Sequence, residues 1–144
     1  MSTESDIPVD RRDHSSPKTL RLRSVTPALT VADIHESLAW YRDLVGFHVE
    51  DLWEHEGKVG GAALVAGTAS LYLAQDDWGK GRDRVKGEGF RLHMETVDDV
   101  DAIAAMIEER GGTLETQPAD TPWGARAFTL VDPDGFKITI SKAG

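Results

Sequence analysis

Apolar and polar residues alternate along this chain in two rhythms, one of period two and one of period three to four. From Ser24 to Val31 the run SVTPALTV is rich in strand-forming residues, and it ends just before Asp33, which has Glu36 three residues on. That spacing fits a helix N-cap and its capping partner. Ile34, Leu38, Tyr41 and Val45 then fall on one helical face until Gly46 stops the helix. FHVEDLWEHE, VGGAALVAG and ASLYLAQ read as short strands separated by Gly57, Lys58, Gly67 and Thr68. The polar segment DDWGKGRDRVKGEG that follows reads as a loop.

The same order then returns. FRLHMETV reads as a strand, and Asp98 or Asp99 caps a helix whose Val100, Ile103, Ala104 and Ile107 form one apolar face ahead of Gly111 and Gly112. TLETQPA, GARAFTLV and FKITIS supply three more strands. The last two are joined by Asp132-Pro133-Asp134-Gly135, a strong hairpin turn in which Gly135 can take positive φ. Val31 and Val97, Asp33 and Asp99, Gly46 and Gly112, and Val65 and Val131 all lie 66 residues apart, while Leu71 fits Ile138, and Leu73 fits Ile140, at 67. Matched elements in matched order indicate an internal duplication. The expected architecture is α+β: two βαβββ modules in tandem, residues about 24–76 and 89–142, sharing an eight-stranded concave sheet. Residues 1–22, with Pro8 and Pro17 and no apolar period, are expected to form a flexible N-terminal tail, with the domain spanning 23–144.

Composition narrows the function. The chain has 144 residues, 40% hydrophobic and 28% charged, enough to bury one core. With 16 basic against 25 acidic groups the net charge is −9, which disfavours a nucleic-acid partner because phosphate binding needs a basic footprint. There is no cysteine, hence no disulfide, thiolate nucleophile or Cys-ligated zinc. The N-terminal stretch lacks the apolar core of a signal peptide and no segment is apolar enough to span a bilayer, so no membrane partner and a cytoplasmic location are expected. Ser70 and Ser141 lack a Gly-x-Ser-x-Gly setting, and Gly79-Lys80-Gly81 lacks the rest of a phosphate loop, so covalent and phosphoryl-transfer chemistry have no support. No catalytic residue is assigned.

LTVADIHESLAWYRDLVGF, VDDVDAI and above all TPWGARAFTLVDPDGFKI resemble the vicinal oxygen chelate superfamily of glyoxalases, extradiol dioxygenases and bleomycin-resistance proteins. The Pro-Trp-Gly segment followed by DPDG is most similar to the bleomycin-resistance-like branch. Enzymes of this superfamily hold a divalent metal through His and Glu residues on the first and last strands of each module, leaving open positions that polarise vicinal substrate oxygens. Carried onto this chain, the ligand positions fall at Thr26, Tyr72, Leu92 (or Arg91 or His93 after a one-residue slip) and Thr139. Thr26, Tyr72 and Thr139 are not usual ligands, so the expected site has no metal and no cofactor. A cleft without metal becomes a pocket of aromatic walls and a few oriented polar groups. The candidate ligand-binding residues are Trp53, Tyr72, Trp78, Arg91, His93, Trp123, Arg126, Phe128 and Thr139.

His48, Glu50, Glu54, His55 and Glu56 read as the exposed edge of one strand rather than a cation site, since period two sends neighbours to opposite faces. His93 lines the central surface in one register and the core in the other. The resemblance, the Trp-rich loops and the acidity, with Asp76, Asp77 and Asp83 beside Trp78, together imply antibiotic-type sequestration of an aromatic or cationic small molecule by a homodimer with two clefts. The competing expectation is a metal-dependent lyase, isomerase or dioxygenase with a rearranged site involving His93, Glu95 or the Glu50–Glu56 strand. A sensor or accessory subunit without catalysis is the third.

Overall fold

The computed structural model describes residues 20–144 together with Pro8. The tail expected over residues 1–22 therefore lies, apart from Pro8 and 20–22, outside the described residues. Strand β1 (Ala28–Val31) leads into helix α1 (Ile34–Ala39), which widens into a π-helical turn over Trp40–Val45. Strands β2 (His48–His55), β3 (Lys58–Ala66) and β4 (Ala69–Gln75) complete the first module. The second repeats the order with β5 (Arg91–Glu95), α2 (Val100–Glu109), β6 (Thr116–Asp120), β7 (Ala125–Val131) and β8 (Lys137–Ala143).

The helix starts follow from their caps. The Asp33 carboxylate accepts the amides of His35 and Glu36 at 3.0 and 3.3 Å, and Asp99 accepts that of Asp101 at 2.9 Å. The first helix ends because Gly46, at φ 106°, and Phe47 both donate to the Tyr41 carbonyl, at 2.9 and 2.8 Å. Alternation fixes which faces of the strands turn inward. Leu29, Val31, Leu71, Leu73 and Leu64 lie under α1, and Phe128, Leu130, Ile138 and Ile140 lie with Val100, Ala104 and Ile107 of α2. These residues form one continuous core, each large side chain contributing roughly 1.5–3 kcal/mol by leaving water.

The fold is α+β, and its strands form two four-stranded sheets, ordered β1-β4-β3-β2 and β5-β8-β7-β6. In each, the first strand runs parallel to the last and the remaining pairs are antiparallel. The expected single sheet of eight strands thus takes the form of two, with β1 and β5 each closing an edge. Among the described residues no strand of one sheet pairs with a strand of the other, and the modules join through the shared core and the Asp132–Gly135 turn. Tyr41 donates its hydroxyl to Asp132 at 2.7 Å, and the Ala32 amide donates to Asp134 at 2.9 Å. The opposite face of each sheet is left open. The turn itself is as the sequence predicts: Gly135 sits at φ 88°, and Asp132 accepts from the amides of Asp134 and Phe136. Among the described residues no helix is long and apolar enough to cross a membrane.

Candidate functional site

Two of the nine candidate residues come together on the open face of the first sheet. Tyr72 lies between the inward-facing Leu71 and Leu73 on β4, so period two turns it outward. Trp53 sits on β2 directly opposite Gly61 of β3, next to a register shift between Trp53 and Glu54. The two rings meet edge to face, with centroids 5.5 Å apart and planes 78° apart, an arrangement that aromatic quadrupoles favour. Both rings remain open to solvent, Trp53 at 46% and Tyr72 at 39%. Together with Ala28, Gly61 and Ala74 they bound a cavity of about 350 Å³ whose rim carries Glu54 and His55. That volume lies within the range of small-molecule pockets.

Three more candidates share the open face of the second sheet. Arg91, His93 and Glu95 point outward on β5 while Leu92 and Met94 pack against the core, which settles the register of His93. Thr139 stands opposite His93 on β8, and its hydroxyl accepts from the Arg91 guanidinium at 3.2 Å. The bond accounts for the burial of this polar side chain.

The remaining four lie elsewhere. Phe128 is fully buried, because it shares its strand face with Leu130 rather than with Thr129, and so it belongs to the core and not to a ligand surface. Arg126 has the same parity and is tied to Asp101 at the start of α2 by bonds of 2.7 and 3.0 Å, and to Asp120 at 3.1 Å. Those carboxylates hold the guanidinium pKa above its ordinary value, and the hydrogen bond from Arg126 depresses that of Asp101. Arg126 lines a separate cavity of about 520 Å³ between α2 and the ends of β7 and β8. Trp123 is 68% exposed at the β6–β7 turn and borders neither cavity.

Trp78, in the segment joining the modules, is already engaged. Arg82 stands 4.4 Å and Lys86 4.8 Å from its ring centroid, so the chain's own cations occupy the indole. Asp76, expected to attract a ligand cation, is buried and paired with Lys86 at 2.9 Å and Arg84 at 3.2 Å. The hydrogen bond from Lys86, followed by that from the Trp78 amide, lowers its pKa. Sequence reasoning missed Gly61, on which the Trp53 ring rests. The signal was present in Gly60-Gly61, since glycine inside a strand pattern marks a close approach.

Among the described residues no three His, Asp or Glu side chains converge where they could hold an ion. The edge-strand residues Glu50, Glu54, His55 and Glu56 are all exposed along or beside β2, and His93 and Glu95 stand as two donors on one strand face.

Paired βαβββ modules, each with its first strand parallel to its last, define the fold class of this chain. The chain belongs to the Glyoxalase/Bleomycin resistance protein/Dioxygenase superfamily, whose family model matches residues 22–140. No curated protein matches it. Among solved structures it is similar to TnmS3, an antibiotic binding protein from Streptomyces sp. CB03234, at 26% identity with TM-score 0.65, covering 88% of this chain and 100% of that one. A glyoxalase/bleomycin resistance protein from the same Streptomyces is 28% identical with TM-score 0.60, covering 80% and 96%. TioX from Micromonospora sp. ML1 shares the fold at 18% identity and TM-score 0.69, covering 83% and 97%.

Proposed function

We propose that this protein sequesters an aromatic or cationic small molecule of antibiotic type, without metal or cofactor and without catalysis, on the face built by Trp53 and Tyr72. The observation that carries this reading is the solvent-open aromatic corner over a cavity of about 350 Å³ with a carboxylate, Glu54, at its rim. An indole face beside a carboxylate suits a cationic ring, and a net charge of −9 draws cations toward the surface. The likeness to TnmS3 along that protein's whole length supports the same kind of ligand. The ligand reaches a homodimer in the cytoplasm, in which a second copy covers the open sheet faces and brings Arg91, His93 and Thr139 of one chain toward the aromatic corner of the other.

Titration of the protein with cationic aromatic antibiotics, followed by tryptophan fluorescence, tests the proposal. Micromolar quenching that is lost in Trp53→Ala and kept in Trp123→Ala is expected. Elemental analysis of protein purified without chelator provides the opposing test. One tightly held divalent ion per chain overturns the metal-free reading and directs attention to His93 and Glu95 as ligands of an enzyme.

A further inference from the structure

A β-carbon built on Gly61 would lie 2.6 Å from Cε3 and 3.3 Å from Cζ3 of the Trp53 indole, and 3.3 Å from the Leu73 carbonyl oxygen. The first distance is far inside van der Waals contact. Gly61 has ordinary strand φ, so conformational freedom does not explain a glycine here; the space its side chain leaves free does. Because Trp53 is directly opposite in the β2–β3 register, its six-membered ring occupies the space above the β3 backbone that a side chain at Gly61 would take. Tyr72, one strand further on beside Ala63, then meets it at 78°. The result is a corner in which the indole is a plate and the phenol ring, nearly perpendicular to it, is a wall, both open to solvent.

We infer that Gly61 is the positioning residue of this corner, and that the corner selects flat, fused-ring ligands over compact ones of equal charge. The inference rests on the binding function proposed above and specifies its ligand class. A flat ring stacks its whole face on the indole while its edge meets the tyrosine wall, gaining contact over an area. A rounded cage of the same charge touches plate and wall along a line, and dispersion scales with the number of atom pairs in contact. An added methyl at Gly61 tilts the indole off the strand and removes the plate without removing any aromatic side chain.

The experiment compares wild type, Gly61→Ala, Trp53→Ala and the double variant. Proflavine is the flat tricyclic cation and 1-aminoadamantane the compact one, each titrated calorimetrically. Wild type is expected to prefer proflavine by at least tenfold, and Gly61→Ala to lose most of that preference while its far-UV circular dichroism stays native. Before any ligand is added, Gly61→Ala should also weaken the near-UV signal of the Trp53–Tyr72 pair. The double variant separates the causes: with Trp53 already removed, Gly61→Ala should cost no stability in urea titration. An equal cost in both backgrounds assigns the glycine to the Leu73 carbonyl and overturns its positioning role, as does an unchanged near-UV spectrum. Equal affinity for the two probes overturns the selectivity. If wild type binds neither probe, the binding function falls and the ligand preference with it, while the near-UV spectrum and the urea cycle still decide the role of Gly61.

Discussion

Tyr41 and Asp132 are 91 positions apart in sequence, and their 2.7 Å hydrogen bond is among the few polar contacts inside the core. The tyrosine ring is fully buried between Trp40 and Phe47, meeting each edge to face, and the carboxylate also caps the amides of Asp134 and Phe136. Burial raises the pKa of both groups, and the Tyr41 bond offsets part of the rise at Asp132. Tyr41→Phe is expected to cost about 1–3 kcal/mol in urea denaturation at neutral pH, because it leaves a buried carboxylate one donor short. For Asp132 the folded pKa stands above the unfolded one, so its protonated form is favoured by folding and stability declines as pH rises through that raised value. Asp132→Asn should flatten that part of the stability profile, and an unchanged profile would assign the slope to other carboxylates. The DPDG turn was legible because Gly135 and the two aspartates act locally. The bond to Tyr41 was not, since a tertiary contact leaves no periodicity behind. Phe128 was legible in principle: its parity with Leu130 points it inward, and only its aromatic character suggested a ligand wall.

The elements divide in the same way. Both helices, their caps and the strand order of each module follow from residue patterns, whereas the segment between Gln75 and Arg91 gave no pattern and takes its shape from contacts. Asp76 draws in Lys86 and Arg84, Trp78 at φ 61° accepts Arg82 and Lys86 on its ring, and Gly87 packs so closely on the Gly135 carbonyl that a β-carbon there would overlap it. Charge in this segment was readable, but its partners were not, so the acids that looked available to a ligand are satisfied internally. Because the folded pKa of Asp76 is lowered, its contribution is present above the ordinary carboxylate range and fades as pH falls through the lowered value. Asp76→Asn should imitate that loss at neutral pH by removing the charge that holds Lys86 over the indole. Trypsin is then expected to cleave after Lys80, Arg82 or Arg84 several times faster than in wild type, with the remainder of the fold intact. Equal cleavage rates would mean that the Gly87–Gly135 contact alone fastens the segment.

At the scale of the whole molecule, each chain has one shared core and two uncovered sheet faces of different chemistry. The face of the first sheet is aromatic around Trp53 and Tyr72, and that of the second presents Arg91, His93 and Glu95. Strands β1, β2, β5 and β6 each pair on one side only, so each sheet is open at both edges as well. A twofold dimer places the same surfaces against each other twice, covering the aromatic face of each chain with the polar face of the other and using both edges. Such an arrangement would give the aromatic corner the hydrogen-bonding groups it lacks on its own. Sedimentation equilibrium at tens of micromolar is accordingly expected to give twice the 15.7 kDa chain mass. Ser70→Lys combined with Tyr72→Lys, which puts two charges at outward positions of β4 and leaves the buried core untouched, should shift the protein to monomer while preserving its helix and strand content. Proflavine binding should fall with dimerisation beyond the loss produced by Tyr72→Lys alone. A wild-type monomer at these concentrations would instead confine the ligand to one sheet face, and Arg91→Gln would then leave affinity unchanged.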